Sequence, residues 1–408
     1  MSTSTTICLF FSDTGGGHRS AAEAVQAGIQ SIIAESAFKE KHPGQLKIIS
    51  ENIIERSHFI NQVFVELYNF LLRHNQACMK YYYSFVNQFR PNNSEIGYRL
   101  VKSYLQKLFN KIHPDLIVSI HPMSNHYLAR ALKEFGFTTT RLIIVVTDPN
   151  EKLWQGWACP EADLTIVPNE AAKNKLLSWG VPENKIEIVG MPVHPDFLQP
   201  PSSDREKFLR HLNLDPKTFT LCINAGWAGG GNMRDIYRAL NQVKKKIQVI
   251  FLCGNHHKLY KKVLEQSSNN KVPTRVLPFH DNMSELMNAV DLMVTKAGGL
   301  TTFEAIARRL PMAIDIITEP MPQEAGTIDI LLEASKEVHL AQIVKKPEDI
   351  VQIVEGAELR NGNPIRELPS YQSLDRVDAV YDIAKIILSH IDYNNSKINQ
   401  FKMQRASI

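Results

Sequence analysis

The feature that most constrains the fold is a local pattern that occurs twice. An apolar strand runs into a glycine-rich loop, and a helix begins at once. The first copy is strand 5–11 with glycines at 15–17 and then His18, and the second is strand 219–224 with loop 225–231. Glycine lacks a Cβ, so such a loop can turn sharply and lie close to a ligand. The free N–H groups and positive dipole end of the following helix favour an anion there.

The first loop differs from the familiar phosphate-binding loops. Its glycines lack the spacing of the dinucleotide-binding loop, and no Gly-Lys-Ser/Thr follows as in a P-loop. Ser20 and Glu23 have the spacing of a capping box, which predicts that the helix begins just after His18. His18 would then lie at the mouth of a cleft with an anion-friendly floor, where a proton-transferring group is useful. A solvent-exposed histidine in a tight strand–helix turn is the alternative.

Short apolar runs alternate with helical patterns along the chain, which is typical of βαβ units and a parallel sheet. At 408 residues the chain is too long for one ordinary core. We therefore predict an α/β fold with two Rossmann-like, doubly wound domains, 1–195 and 196–370, that face a central cleft. Ligands are expected at the carboxyl ends of the strands. Residues 371–408 are predicted to form a C-terminal helix, which could pack back on the first domain, and a tail.

Composition excludes several classes of function. The chain has no apolar run of about 18 residues and no signal pattern, so neither a membrane span nor a secretory leader is expected. The five cysteines are scattered without CxxC pairs, which indicates buried thiols in a reducing cytoplasm rather than disulfides or a zinc site. A net charge of +4 argues little for nucleic acid as a partner. Because the chain contains no Asp-x-Asp pair, a metal ion held by such a pair is not expected.

Two stretches of the second half suit a nucleoside diphosphate. In the first, the loop after strand 219–224 could admit a phosphate at the start of the next helix. In the second, strand 291–295 ends in a Gly-Gly pair, and a helix is predicted to begin at Thr301. Glu304, one turn into that helix, could accept hydrogen bonds from both hydroxyls of a ribose. Thr301 and Glu304 also have the spacing of a capping box, so closing the helix is the alternative role for Glu304.

Two further segments suit the sugar and the base. Gln323 and Glu324 lie in a stretch, 319–327, that its prolines predict to be a loop, and both could bind sugar hydroxyls, although such residues on loops are more often simply solvated. After strand 274–277, backbone groups could pair with a flat base, and Phe279 and Met283 would cover the face of that base.

Taken together, residues 12–23 (SDTGGGHRSAAE), 146–148, 189–197, 229–233 and 291–311 resemble glycosyltransferase family 28. The resemblance is strongest to monogalactosyldiacylglycerol synthases and processive diacylglycerol glucosyltransferases, and it spans roughly residues 5–335. It implies the GT-B fold, with the acceptor bound by the first domain and a UDP-sugar by the second. It also implies an inverting, metal-independent transferase that moves a hexose from the UDP-sugar, a co-substrate, to a lipid acceptor such as diacylglycerol. No cofactor is expected.

The resemblance assigns roles residue by residue. His18 matches the family's glycine-loop histidine, which implies a general base or a phosphate contact. It is our candidate base, with Asp148 as its orienter or its rival. Glu304 matches the ribose-binding glutamate, which favours that role over the helix cap. The residues implied to bind the UDP-sugar are Gly16, Gly17, Gly229, Gly230, Asn232, Phe279, Met283, Lys296, Gly298, Gly299, Leu300, Thr301, Glu304, Gln323 and Glu324.

Two departures from the family bear on the acceptor and the sugar. Leu153 stands where the lipid synthases carry a histidine, and 298–301 reads Gly-Gly-Leu-Thr instead of Gly-Pro-Gly-Thr. The latter is closer to the related peptidoglycan-precursor N-acetylglucosaminyltransferase. The alternatives are therefore a transferase with a soluble or isoprenoid-linked acceptor, a non-catalytic UDP-sugar-binding protein, and a sugar epimerase of the same fold.

The acceptor is inferred from residues 58–112. The apolar residues of its first helix follow helical spacing, and they are Ile60, Val63, Phe64, Leu67 and Leu71. Between residues 73 and 111 there are seven Lys or Arg and one acid. Such a segment could rest on an anionic membrane surface, whereas a core-facing helix with a solvated basic face is the alternative. Because lipid-acceptor relatives place a membrane-docking segment here, we predict a cytoplasmic protein bound peripherally to the inner face of the membrane.

Overall fold

The structure is a computed structural model that describes residues 5–35, 45–74, 78–200, 204–335, 340–359, 376 and 378–391. The chain forms two compact units. The first consists of Met1–Val65, Ser84–Pro195 and Asp378–Ile408, and the second of Glu66–Tyr83 and Asp196–Val377. The division drawn from the sequence differs at two places, because it assigned residues 66–83 to the first domain and ended the second domain at 370 instead of Val377.

The first unit is built on a six-stranded parallel sheet with the order β2-β1-β3-β4-β5-β6. Its strands are β1 (Thr5–Phe11), β2 (Leu46–Asn52), β3 (Leu116–Ser119), β4 (Arg141–Val145), β5 (Leu164–Val167) and β6 (Ile186–Ile188). Its helices include α1 (Gly17–Ala34), α2 (Ile53–Ser57), α3 (Phe59–His74), α4 (Met79–Phe89), α5 (Glu95–Ile112), α6 (Asn125–Glu134) and α7 (Glu170–Ser178), of which α3 and α4 continue into the second unit. The central strands are almost wholly buried and apolar, as in parallel sheets that are covered on both faces.

The start of α1 differs from the sequence prediction. The helix begins at Gly17, and its N-cap is Gly16, whose φ of 84° lies in the left-handed region that favours glycine. No side chain caps the helix, and the Ser20 hydroxyl instead donates to the Gly16 carbonyl at 3.3 Å. The predicted capping box of Ser20 and Glu23 is therefore wrong. Because the glycines turn the chain early, His18 lies inside the first turn of the helix.

A helix over 379–391 belongs to the first unit. Its apolar face is fully buried at Val380, Ile383 and Ile387. Helix α1 contacts it at Gly28, where a Cβ would lie 2.9 Å from Val380 Cγ2. Glycine at this position therefore allows the close approach of the two helices.

The second unit is built on another six-stranded parallel sheet, with the order β12-β11-β10-β7-β8-β9. Its strands are β7 (Phe219–Asn224), β8 (Ile247–Leu252), β9 (Thr274–Leu277), β10 (Leu292–Thr295), β11 (Met312–Asp315) and β12 (Ala341–Val344). Its helices include α8 (Arg205–His211), α9 (Met233–Ala239), α10 (His257–Ser268), α11 (Met283–Ala289), α12 (Gly299–Ala307), α13 (Pro322–Ala334) and α14 (Asp349–Gly356). The two doubly wound sheets confirm the predicted fold class, α/β with two Rossmann-like domains.

Two elements of the second unit differ from the sequence predictions. Helix α12 begins at Gly299, two residues before Thr301, with Gly298 as its N-cap. The segment 319–327, predicted as a loop, contains the start of α13, whose first residue is Pro322. Proline is accepted at that position because the first turn of a helix leaves its N–H groups unpaired. The prolines that suggested a loop therefore mark a helix start.

Residues 66–83 join the second unit through an apolar cluster. Tyr68, Leu72 and Met79 pack together with Ala228 of the glycine-rich loop. Arg73 Nε donates to the Ala228 carbonyl at 3.1 Å. A Cβ at Gly230 would lie 2.5 Å from the Leu72 carbonyl oxygen, so glycine is required there. These contacts explain why the segment is grouped with a sheet that follows it by more than a hundred residues.

None of the helices in the described part of the chain is long and apolar enough to span a bilayer. The five cysteines are free thiols, and four of them are buried.

Candidate functional site

The carboxyl ends of β1, β3 and β4 meet at one edge of the first sheet because these strands are neighbours. Three side chains that follow the strands lie together there. His18 Nδ1 is 3.2 Å from Thr147 Oγ1, and its ring centroid is 4.4 Å from that of His121, in an edge-to-face arrangement. Asp148 follows Thr147 directly. The two residues that the sequence predicted to be catalytic, His18 and Asp148, thus come from one edge of one sheet.

The hydrogen bonds of His121 fix its tautomer. Its Nδ1 accepts a hydrogen bond from the Met123 N–H at 3.2 Å, so Nε2 carries the proton and donates to Thr14 Oγ1 at 2.9 Å. Burial lowers the pKa of His121 well below its ordinary value, and the neighbouring His18 acts in the same direction. Burial likewise lowers the pKa of His18 to about 4, although the Ile120 carbonyl opposes the effect. Both imidazoles are therefore neutral at pH 7, and His18 is able to accept a proton.

Asp148 is held against an indole. Trp157 Nε1 donates to Asp148 Oδ2 at 2.7 Å, and the Trp157 side chain is fully buried. Burial raises the pKa of Asp148 to about 6, while the hydrogen bond from Trp157 lowers it. The carboxylate is thus ionised at neutral pH but close to its titration range. The Trp157 ring centroid is also 6.0 Å from that of His18, so the indole contacts both candidate bases.

The glycine loop of the first unit is held by a network of ionised groups. Arg19 forms a bidentate ion pair with Asp13, with distances of 2.7 and 2.6 Å. Glu55 of α2 accepts hydrogen bonds from the Ser12 hydroxyl at 2.7 Å and the Asp13 N–H at 2.5 Å. Beyond the loop, a Cβ at Gly17 would meet no atom within 4 Å. The network fixes the loop and leaves open space at the start of α1.

Sequence reasoning missed three of these residues. His121 comes directly after the predicted strand 116–120, and Thr147 is the last residue of the predicted strand 142–147. Their position at the carboxyl edge of the sheet was therefore a signal that could have found them. Glu55 lies on a short helix far from the loop it supports. No pattern near the glycines indicated it.

The carboxyl ends of β7, β10 and β11 meet in the second sheet. Helix α12 begins beside β10, and a Cβ at Gly298 would meet no atom within 4 Å. Glu304 is half-buried, and its side-chain carboxylate forms neither a hydrogen bond nor an ion pair with the described residues. Burial raises the pKa of this carboxylate to about 7. It does not cap the helix, because α12 begins too early. The side-chain ammonium of Lys296, just after β10, is likewise without a partner among the described residues.

The second glycine loop is packed tightly against the protein itself. A Cβ at Gly229 would collide with His256 and the Cys253 carbonyl. The Asn232 side chain binds Asp315 at the end of β11, with Nδ2 3.1 Å from Oδ1, and the Asn232 N–H donates to Oδ2 at 2.9 Å. Asn232, predicted to bind the UDP-sugar, thus also connects the loop to β11.

The Gln–Glu pair lies in the first turn of α13. Gln323 Nε2 donates to Tyr83 Oη at 2.5 Å. Glu324 is buried, and its Oε2 accepts a hydrogen bond from the Met321 N–H at 3.1 Å. Elsewhere in the unit, the Phe279 side chain is 48% exposed after β9, and Met283 is the first residue of α11.

The predicted residues divide between the two units. Gly16, Gly17, His18 and Asp148 lie in the first. The second contains Gly229, Gly230, Asn232, Phe279, Met283, Lys296, Gly298, Gly299, Leu300, Thr301, Glu304, Gln323 and Glu324.

One set of three potential metal ligands exists among the described residues. The ligand atoms of His126, Cys159 and Glu161 lie within 4.8 Å of one another. Glu161 accepts a hydrogen bond from the Cys159 thiol at 3.5 Å, and burial raises the pKa of that thiol to about 12. The set contains none of the residues predicted for the UDP-sugar.

Two family models match the chain. The model described as monogalactosyldiacylglycerol (MGDG) synthase matches residues 18–193, and the model of the glycosyltransferase family 28 C-terminal domain matches residues 232–325. They confirm the resemblance stated from the sequence.

Curated relatives of two kinds are similar to the chain. The chloroplastic monogalactosyldiacylglycerol synthase of Spinacia oleracea is 28% identical over 366 residues, which cover 85% of this chain and 65% of the relative. The processive diacylglycerol beta-glucosyltransferase of Staphylococcus epidermidis is 26% identical over 351 residues, covering 85% of this chain and 80% of the relative. The chain spans 63–65% of the length of four plant synthases that it matches.

Solved structures share the fold. MurG of Acinetobacter baumannii aligns with a TM-score of 0.52 at 13% identity, covering 94% of this chain and 99% of that one. UDP-GlcNAc 2-epimerase of Methanocaldococcus jannaschii aligns with a TM-score of 0.54 at 14% identity, covering 95% and 100%. Likeness at this identity shows the two-domain fold alone.

Proposed function

We propose, since the chain belongs to glycosyltransferase family 28, that it transfers a hexose from a UDP-sugar to a lipid acceptor such as diacylglycerol. The observation that carries the proposal is the order of the two family matches. The synthase model covers the half with His18 and Asp148, and the family 28 domain covers the half with Glu304 and Gln323. Relatives named as lipid glycosyltransferases support the lipid acceptor.

The donor is assigned to the second unit. Glu304 accepts hydrogen bonds from the ribose hydroxyls, because its carboxylate is desolvated and has no partner among the described residues. The diphosphate lies at the start of α12, where open space at Gly298 leaves the free N–H groups accessible. Lys296 supplies a positive charge beside it. Phe279 and Met283 bind the uracil, and Gln323 and Glu324 bind the hexose.

The acceptor hydroxyl is assigned to the first unit. His18 is neutral at pH 7 and removes the proton as the oxygen attacks the anomeric carbon with inversion. Thr147 positions its ring by the hydrogen bond to Nδ1. Asp148, with its pKa near 6, is the rival base. UDP leaves as the bond to the anomeric carbon breaks.

We propose that the reaction needs no metal ion. The charge on the departing diphosphate is stabilised by backbone N–H groups and by Lys296 in place of a cation, since preorganised donors act strongly in a site that excludes water. A chelator such as EDTA should therefore leave turnover unchanged. Loss of turnover that added Mg²⁺ or Mn²⁺ restores would contradict this part of the proposal.

The membrane contact is assigned to α3 and its neighbours. One face of α3 is buried at Val65, Tyr68 and Leu72, whereas a second apolar face is open. The exposed large apolar side chains on α3 are Phe59, Val63, Phe64, Leu67 and Phe70. An open apolar face of this kind is typical of helices that lie at a membrane interface. It disfavours the alternative hypothesis, in which the apolar residues of α3 all face the core.

The basic residues nearby contribute less charge than their number suggests. Arg99 forms an ion pair with Glu95, and Lys102 forms one with Glu134. Lys107 and Lys111 on α5 are exposed and have no partner among the described residues. The membrane contact that we propose therefore depends mainly on apolar insertion, with anionic lipid as a secondary attraction on the cytoplasmic face.

The test of the reaction is product analysis. The protein is incubated with UDP-galactose, UDP-glucose or UDP-N-acetylglucosamine and vesicles that contain diacylglycerol, and products are identified by mass. We expect one donor to give a hexosyl-diacylglycerol. Conversion of the UDP-sugar without any acceptor would indicate an epimerase. UDP binding without turnover would indicate a non-catalytic binding protein. Turnover with a soluble acceptor alone would contradict the lipid.

The test of membrane contact is co-sedimentation with anionic vesicles. Burying one Phe side chain is worth about 1.5–3 kcal/mol, so Phe59→Ser with Phe64→Ser should weaken binding by at least about tenfold. Leu264→Ser on α10, where the side chain is 39% exposed, is the matched control. Equal binding of the double variant and the wild type would contradict the assignment to α3.

A further inference from the structure

One polar contact joins the predicted sugar-binding residues to a helix much earlier in the chain. Gln323 Nε2 donates to Tyr83 Oη at 2.5 Å, across 240 residues of sequence. Both residues belong to the second unit. We propose that Tyr83 is a positioning residue of the sugar subsite, which holds the Gln323 amide so that its carbonyl oxygen accepts a hydrogen bond from a hexose hydroxyl. The inference rests on the proposed function.

The hydrogen bond between Gln323 and Tyr83 sets the orientation of the Gln323 amide. A glutamine side chain ends in a donor and an acceptor that differ by a half-turn of one torsion, so an unrestrained amide can present either group to a sugar. A phenol hydroxyl can donate or accept, but that of Tyr83 donates its proton to Met321 Sδ. Its oxygen therefore accepts from Gln323 Nε2, which selects one of the two orientations of the amide. The carbonyl oxygen of Gln323 is then fixed as an acceptor, and a sugar hydroxyl placed against it must donate.

Tyr83 is itself held by neighbours. Its hydroxyl lies 3.4 Å from Tyr68 Oη and donates to Met321 Sδ at 3.9 Å. Its ring meets the Tyr82 ring edge-on, with the centroids 6.0 Å apart. Tyr68 belongs to the buried cluster with Ala228. The support of the amide is thus anchored in the packed interior of the unit, as a precise binding group requires.

Glu324 is oriented separately, because the Met321 N–H binds its Oε2 within the first turn of α13. The two residues of the pair therefore have different supports. Glu324 is positioned by its own helix, whereas Gln323 depends on a residue from α4. Tyr83 binds the Gln323 amide directly, whereas its bond to Met321 involves the thioether and not the N–H that holds Glu324. A change at position 83 should therefore act mainly on the contribution of Gln323.

The experiment compares the binding of UDP and of a UDP-hexose by calorimetry, without acceptor or turnover. The wild type should bind the UDP-hexose more tightly than UDP. Tyr83→Phe removes the hydroxyl and keeps the ring, so it should reduce that advantage about three- to tenfold while leaving the affinity for UDP unchanged. Tyr82→Phe is the matched control, since the Tyr82 hydroxyl forms no hydrogen bond with any described residue.

A double-mutant cycle with Gln323→Ala tests whether Tyr83 acts through the amide. In the Gln323→Ala background, Tyr83→Phe should have no further effect on the UDP-hexose. The inference is overturned if the affinity advantage survives Tyr83→Phe, if the two substitutions act additively, or if the wild type binds UDP-hexose no better than UDP. Absence of UDP binding by the folded wild type is a different result, because it would refute the proposed function.

Discussion

Glu304 offers the sharpest test of the donor site. If it binds the ribose, a substitution there should weaken UDP binding, whereas a purely structural role predicts unchanged UDP affinity. The perturbation is Glu304→Gln, which removes the charge and keeps the shape. In the free protein, burial raises the pKa of Glu304 from the ordinary 4.5 to about 7. This pKa shift corresponds to a desolvation cost for the ionised carboxylate of about 2–3 kcal/mol. The figure is set below the full conversion of the shift because the side chain is only half-buried and solvent screens its charge.

Two ribose hydroxyls would offset that cost. Hydrogen bonds to an ionised group contribute about 1.5–3 kcal/mol each, and a neutral amide cannot accept from both hydroxyls as well as a carboxylate does. At pH 8 Glu304 is already ionised in the free protein, so binding does not incur the desolvation cost again. The amide of Glu304→Gln keeps weaker hydrogen bonds to the ribose, so this substitution should weaken UDP binding by about 10- to 100-fold. The affinity for 2′-deoxy-UDP, which lacks one of the hydroxyls, should fall by a smaller factor on the same substitution.

The pH dependence follows from the direction of the shift. Ribose hydroxyls favour the ionised form, so binding lowers the pKa of Glu304 from about 7 towards its ordinary range. Below pH 7 the free protein is protonated at this position and must release a proton to bind. The affinity of the wild type should therefore fall by up to about tenfold per pH unit as pH decreases from 7. The UDP phosphate titrates equally with both proteins, so the ratio of their dissociation constants isolates Glu304.

Stability provides the control for misfolding. A carboxyl group whose pKa is raised on folding stabilises the fold at low pH, and that contribution is lost as pH rises through about 7. Glu304→Gln should therefore be at least as stable as the wild type at pH 8, so weaker UDP binding would not reflect unfolding. Glu265→Gln, on the exposed face of α10, is the matched surface variant. Equal UDP affinity of Glu304→Gln and the wild type, or a ratio independent of pH, would refute the assignment.

Three further predictions test the first unit and the fold. His18→Ala should lower kcat about 10²- to 10⁴-fold and leave UDP affinity unchanged; a fully active variant would exclude His18 as the base. Trp157→Phe removes the hydrogen bond that lowers the pKa of Asp148. If Asp148 is the base, the acid limb of kcat/KM should lie near pH 6 and move upward in this variant, whereas a limb near pH 4 that stays in place would indicate His18. Arg205→Met should destabilise the protein by about 3–5 kcal/mol in a denaturant titration, because it leaves the fully buried Asp291 without its ion pair at 2.8 Å; an unchanged midpoint would show that the pair contributes nothing.

The sequence predicted the two sheets well because their strands are short, apolar and separated by regular helical patterns. Helix starts were predicted less well. At α1 and α12 the residues with capping-box spacing, Ser20 and Thr301, suggested later starts than the structure has. Glycines at the N-cap replace a side-chain cap in both helices, and a glycine leaves no local sequence pattern of capping. The capping-box spacing therefore did not mark where either helix begins.

The contacts that complete the site arise from pairs distant in sequence. Tyr83 reaches Gln323 across 240 residues, and Glu55 reaches Ser12 across 43. No periodicity or motif spacing encodes such pairs, because they depend on how finished elements pack. By contrast, His121 and Thr147 lie two residues after the ends of β3 and β4, and parallel topology alone places them at one edge. Residues placed by topology could be predicted, whereas residues placed by packing could not.

A physical distinction separates the candidate site from the rest of the buried carboxylates. Asp291 is paired with Arg205, and both oxygens of Asp315 accept hydrogen bonds from Asn232. Glu304 has no such partner among the described residues, and its pKa is raised to about 7 by burial. Desolvation without compensation is unfavourable for the free protein, so a ligand that supplies hydrogen-bond donors gains affinity from it. The uncompensated desolvation of the Glu304 carboxylate is therefore a reason to expect a ligand with paired hydroxyls at this position, independently of any likeness to other proteins.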